Sequence, residues 1–263
     1  MNIVVCIKVV IDPLLSSTDL MIDPVRSRIV ARESGQQVVN GFDEQALEAA
    51  LRLKDNIPGT VITLMSVGKQ VPWDVLRKLM ALDVDNALVI DGSAGDSHDP
   101  RVIAAILAAA VQRLEGVDLV ICGRQASDWD NAQVPIRLAG NLGWPCLTLA
   151  REVKMVGKEI QVRRVLLDGW QDMSAKPPAV ITVTSELGEL RYPTMKGRLA
   201  AMKRQPNVWS ISDLGNEFVE ATELVEIQMI HHPKESNCHF IDGESGQSKG
   251  EQLAAVLMSS GLI

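Results

Sequence analysis

Aromatic residues make up only 3% of this 263-residue chain, and its net charge is -7. Holding a nucleic-acid backbone takes a cationic face and holding single strands takes stacking rings, so nucleic acid is excluded as a partner. No uninterrupted apolar run is long enough to span a bilayer, which argues against direct membrane insertion. The first strand-like run starts at Asn2 and leaves no room for a leader, so a cytoplasmic location is expected. Cysteine is scarce: Cys6, Cys122, Cys146 and Cys238 lie far apart with no CxxC pair, and three of them sit in apolar runs, so disulfides are not expected. His231, His232, Cys238 and His239 bring imidazole and thiol groups together, but their spacing matches no zinc pattern. With Pro233 and the polar KESN run between them, a solvated loop is expected.

What the chain does have is apolar mass, 46% of its residues, enough for a substantial core. Strand-like runs recur at residues 3–9, 60–66, 87–90, 119–122 and 146–149. Helix-period segments at 43–54, 75–82 and 100–114 fall between them. This alternation predicts a doubly wound α/β domain with a mostly parallel sheet in a flavodoxin-like layout. From residue 152 the pattern turns β-rich, at 152–156, 159–167 and 179–184 with a Gly157-Lys158 turn, which predicts antiparallel strands along one edge. After Gly215 the chain is polar apart from a helix expected at 249–258. Its apolar surface is too sparse for a core of its own, which predicts an arm packed on another subunit or along the first domain.

The run CGRQASDWDNAQVPIRLAGNLGWP, residues 122–145, places a polar loop between a buried strand and a helix. The exposed N–H groups of a helix start can bind a phosphate without a basic side chain. Asp128, Asp130 and Asn131 are candidate caps, and Pro135 suits the first turn. Main-chain groups of Gln133 and Val134 are the expected phosphate donors. In doubly wound sheets ligands bind where the strand order reverses. For the order 3-2-1-4-5 that point lies between the strand ending near Val9 and the strand ending at Cys122, beside this loop. Ser66, Val67 and Gly68 would line the same crevice. Asp43 and Glu44, adjacent on a helix, point apart and read as first-turn acids complementing the helix dipole, not as a catalytic pair.

These residues carry a resemblance. The loop is similar to the nucleotide-binding loop of electron transfer flavoprotein (ETF) beta subunits, GKQAIDxDxxQxG or GRQAIDGDxxQV. NGFDEQALEAALRLKD at 40–55 resembles the family's NPxDxxAxEEALRLK, and the opening IVVCIKVV resembles IxVxxKxVPD. TSELGELRYPTMKGRLAAMKR at 184–204 looks like the family's recognition loop and signature. The resemblance implies a nucleotide-binding domain at 1–206, with the recognition loop at 184–204, and a linker and arm at 207–263. It implies a nucleotide held by Val9, Asn40, Gly41, Phe42, Asp43, Ser66, Val67, Gly68, Gly123, Arg124, Gln125, Ala126, Asp128, Asn131, Ala132, Gln133 and Val134.

It also implies a protruding Leu187 that anchors a partner dehydrogenase, with Arg191 and Tyr192 beside it. Lys196, Arg198, Lys203 and Arg204 form a positive patch suited to subunit pairing or a phosphate-bearing ligand. The implied protein pairs with an alpha subunit carrying FAD, holds AMP in beta, and passes electrons from an acyl-CoA-type dehydrogenase to a quinone reductase or other acceptor. GRQA and the long loop 91–100 point to the alternative of an electron-bifurcating form with a second FAD and an NADH site in beta. A stand-alone adenine-nucleotide sensor shares this kind of fold.

Overall fold

A computed structural model describes residues 1–23, 28–33, 37–215, 218, 228 and 238–263. They fall into two compact units, 1–227 and 228–263. The first opens with β1 (Asn2–Cys6), β2 (Val9–Ile11), β3 (Leu20–Asp23), β4 (Arg28–Ala31) and β5 (Gln37–Val39). The expected run 3–9 is therefore broken at Ile7 and Lys8. The main chain of Lys8 turns aside to bond Asn40 and Asp43, and Val9 starts a small antiparallel pair, β2 with β5. The antiparallel pair of β3 and β4 has no counterpart in the sequence expectations.

Next come α1 (Gly41–Asn56), β6 (Val61–Val67), α2 (Trp73–Met80), β7 (Asn86–Asp91) and α3 (Pro100–Arg113). Ala46, Leu47, Ala50, Leu51 and Leu53 of α1 are buried, as their spacing requires. Asp99 caps α3 by accepting from the Arg101 N–H, and Pro100 takes the first turn, where its missing N–H leaves no gap. β8 (Leu119–Gly123), α4 (Val134–Leu142), β9 (Cys146–Val156), β10 (Glu159–Leu166), β11 (Gly169–Ala175) and β12 (Ala179–Val183) follow. α5 (Met195–Ala201) and β13 (Asn207–Ser210) are the last α-helix and strand among the first unit's described residues. The second unit contains α6 (Gly246–Ser259), which buries none of its side chains.

Nine strands form one sheet in the order β11-β10-β9-β12-β8-β1-β6-β7-β13. β9, β10 and β11 pair antiparallel along one edge, as expected. β12 departs from the expectation. It lies inside the sheet, parallel to both β8 and β9, because all five of its residues are apolar or buried and can be covered on both faces. NVWS, within the segment read as a linker, forms β13 at the opposite edge, parallel to β7.

Alternate side chains of the central strands feed two cores. Ile3 and Val5 face α1 and α2, while Val4 and Val120 face α3 and α4. β1 lies between β6 and β8 with helices on both faces, so the reversal in strand order falls between β1 and β8, where it was expected.

Candidate functional site: the crevice between β1 and β8

Two residues at the start of α1 tie the crevice together. Asn40 leaves its helix uncapped by a side chain. Its Nδ2 instead donates to the Gln125 carbonyl at 2.8 Å, and its Oδ1 accepts from the Ser127 N–H at 3.2 Å. Asp43 accepts from the Lys8 N–H at 2.7 Å on Oδ2 and from the Gly123 N–H at 3.1 Å on Oδ1. Burial pushes its carboxyl up to about 7, outweighing the opposing pull of the Lys8 N–H, the Asn40 side chain, the Gly123 N–H and the Lys8 charge.

Gly123 has no alternative residue. A Cβ there would stand 2.5 Å from Asp43 Oδ1 and 2.6 Å from Phe42 Cβ. Asp43 and Phe42 thus act on the loop by packing and main-chain bonding, and Gly41 instead borders a cavity on the other side of α1.

The loop itself is pinned from three directions. Lys8 Nζ pairs with Asp128 at 2.7 Å, the Arg124 guanidinium stacks 4.8 Å above the Phe42 ring, and His98, after β7, meets Trp129 with ring centroids 4.7 Å apart. The candidate caps do other work. Asp128 neutralises Lys8, and Asp130 accepts from Gln125 Nε2 at 2.6 Å while its own N–H donates to the Ala126 carbonyl. α4 begins with Gln133 at its N-cap and has no capping side chain, so Asn131 does not cap it. Asp130 and Ala132 adopt left-handed backbone, which turns the chain sharply into α4.

Internal bonds thus already engage the N–H groups of Gly123, Arg124, Ser127 and Asp130. The first turn of α4, from Gln133 and Val134, has no side-chain cap. Arg124 Nε is buried and has no hydrogen-bond partner among the described residues, while its guanidinium faces the Phe42 ring and its charge helps hold the Glu186 carboxyl low.

Ser66, Val67 and Gly68 end β6 on the other side of β1. The Gly68 N–H donates to the Ile90 carbonyl, and its backbone approaches Gly95 so closely that a Cβ on Gly95 would meet Gly68 N at 2.7 Å. Val9 pairs with Val39 in the small sheet. Lys8 and His98 carry site geometry that the sequence reading did not assign. Lys8 was visible as the lysine of IVVCIKVV, whereas His98 had no local signal.

The loop 184–204 corrects one expectation. Leu187 does not protrude: it is 5% exposed, within the core on the α1 face, and its carbonyl accepts from Arg52 Nη1 at 2.9 Å. A short turn at Ser185–Leu187 folds the side chain inward. Arg191 pairs with Glu48 at 3.0 Å and Asp55 at 2.8 Å, fastening the loop to α1.

Tyr192, by contrast, is 87% exposed. Met195, Leu199 and Met202 continue an exposed apolar stripe along α5. Of the positive patch, Arg204 is engaged by the main-chain oxygens of Val84 and Asp85. A cavity of about 820 Å³ opens beside the stripe between the first turn of α1, α2, α5 and residues 189–193. His231 and His232 of the histidine–cysteine cluster lie outside the described residues.

A family model of the electron transfer flavoprotein domain matches residues 28–214. The chain is 36% identical over 215 residues to the electron transfer flavoprotein subunit beta of Megasphaera elsdenii, covering 79% of this chain and 78% of that one. It is 34% identical over 215 residues to the caffeyl-CoA reductase-Etf complex subunit CarD of Acetobacterium woodii, covering 82% and 80%. It is 30% identical over 226 residues to the subunit beta of Sus scrofa, covering 85% and 87%. The matched segment contains α1, the loop after β8 and the stretch 184–204, and the chain belongs to the electron transfer flavoprotein family, as a beta subunit serving flavin-dependent electron transfer.

Proposed function

We propose that this beta subunit holds AMP in the crevice between β1 and β8 and pairs with an alpha subunit that carries FAD. The observation that supports a nucleotide there is the uncapped start of α4, reached by the loop that leaves β8 at the reversal in strand order. Gln133 and Val134 would hold the phosphate through main-chain N–H groups. Bound flavin supplies the redox chemistry, while protein groups bind and orient it.

In this reading electrons pass from an acyl-CoA-type dehydrogenase to a quinone reductase or other acceptor, and no side chain of the beta chain is catalytic. The dehydrogenase docks on the stripe formed by Tyr192, Met195 and Leu199, which Arg191 holds in place. Residues beyond β13 include the arm that packs on alpha, consistent with a helix α6 that buries nothing by itself. Family membership argues against a stand-alone nucleotide sensor.

The similarity to a subunit of a caffeyl-CoA reductase-Etf complex, together with the long loop between β7 and α3, supports a second reading in which FAD occupies the crevice and NADH is oxidised there. Denaturing the purified complex and quantifying released nucleotides separates the two. One FAD and one AMP per heterodimer is the expected result. Two FAD establish the second reading, and a nucleotide-free beta chain removes both.

A further inference from the structure

We propose that Asp43 is the positioning residue of the nucleotide crevice: its two carboxylate oxygens hold the ends of β1 and β8 together, only the ionised side chain can hold both, and nucleotide affinity follows its charge state. The inference rests on the nucleotide reading of the crevice given above.

Oδ2 takes the N–H of Lys8, just past β1, and Oδ1 takes the N–H of Gly123, the last residue of β8. These strands flank the reversal in strand order, so one side chain sets the separation of the crevice walls. A neutral carboxyl has one good acceptor oxygen and one hydroxyl that must donate, so it would leave one of the two N–H groups unpaired. The release would be felt at Gly123, where the loop begins, and at Arg124, whose guanidinium stacks on Phe42, the neighbour of Asp43.

The charged and titratable groups around Asp43 are few. Lys8 comes from the exit of β1, but its ammonium is held by Asp128 of the loop. Cys122 comes from β8 and is hydrogen-bonded to Cys6 of β1; that bond, then burial, pushes its thiol well up and keeps it neutral. Glu44, next along α1, is also raised by burial. Arg124 lies beyond Phe42. The Lys8 charge and the hydrogen-bond donors favour the ionised form of Asp43, but burial outweighs them and places its titration near 7. If only the ionised form positions the loop, apparent affinity scales with the ionised fraction and falls about tenfold between pH 8 and pH 6.

The test titrates AMP into the full chain at pH 8 and pH 6, for the wild type and for Asp43→Asn. The amide keeps the shape but presents one acceptor and a donor to two N–H groups. AMP's own phosphate titrates identically in both proteins, so their difference isolates Asp43. We expect Asp43→Asn to bind at least about tenfold more weakly at pH 8 and to show a smaller loss of affinity on going to pH 6. Equal affinity at pH 8, or an unchanged pH dependence, overturns the proposal.

A second measurement needs no variant: the isotope-edited infrared band of the protonated Asp43 carboxyl at pH 6 should vanish when AMP is added, and its persistence also refutes the idea. Should the wild type bind neither AMP nor FAD at either pH, the nucleotide reading falls and this inference with it. Wild-type binding with an indifferent Asp43→Asn sinks the inference alone.

Discussion

Replacing Leu187 with alanine distinguishes a core residue from a docking anchor. The side chain is 5% exposed and belongs to the core between the sheet and α1, while its carbonyl receives Arg52. Truncating a buried leucine removes transfer energy and leaves a cavity, together about 2–5 kcal/mol, and roughly 3 kcal/mol is reasonable for a site at the end of a short turn. In a unit of this size each kcal/mol shifts the melting temperature by roughly 2–4 °C, so Leu187→Ala should melt about 6–12 °C lower. Thermal unfolding of the full chain followed by far-ultraviolet circular dichroism measures the shift, and dehydrogenase-driven reduction of the assembled complex below the transition measures docking. Transfer per folded molecule should be nearly unchanged. A melting temperature within about a degree of wild type, combined with lost transfer, would show that Leu187 protrudes in solution and that the packing argument is wrong.

Tyr192→Ala and Leu199→Glu should give the opposite pattern, melting like the wild type and slowing dehydrogenase-driven reduction at least about tenfold, roughly 1.4 kcal/mol of docking energy; normal reduction rates in both would remove the α5 stripe as the docking surface. Gly123→Ala should lose bound nucleotide and unfold at lower urea concentration, because its Cβ would fall within contact distance of Asp43 and Phe42; full nucleotide content in that variant would count against the crevice. Stability should also depend on pH through Asp43: a carboxyl raised from 3.8 to about 7 binds its proton more tightly in the folded state, so its contribution is complete below 3.8 and lost as pH rises through 7. Between pH 5 and pH 8 urea unfolding should show a loss of at most about 2–3 kcal/mol that Asp43→Asn lacks, and parallel pH profiles for the two proteins would contradict the assignment.

The predicted nucleotide affinity and the predicted stability respond to Asp43 in opposite directions. Its charged form orders the crevice, while its neutral form is the less expensive one to bury. Function at this site therefore draws on stability supplied elsewhere, by the continuous apolar strands β8 and β12 and the two cores they separate.

The local signals in the chain were enough for several elements. Apolar runs gave β1, β6, β7, β8 and the start of β9, and the 3.6-residue period gave α1, α2 and α3, because burying a face of a helix or both faces of a strand imposes a pattern on consecutive residues. Short motifs with fixed spacing marked the loop after β8 and the family. Other features depended on partners distant in sequence. That Ala179–Val183 slots between β8 and β9, that Asn207–Ser210 pairs with β7, and that Lys8 reaches Asp128 across 120 positions are outcomes of competition among strand edges and charges with no trace in local periodicity.

Leu187 shows the limit most clearly. A leucine after a strand and before a glycine reads equally as an exposed tip or a buried plug, and the turn that folds it against α1 decides which. Asp43 shows the same limit in chemistry: the sequence identified a first-turn acid, and only the packing of Lys8 and Gly123 against it made it a buried carboxylate that titrates near neutrality.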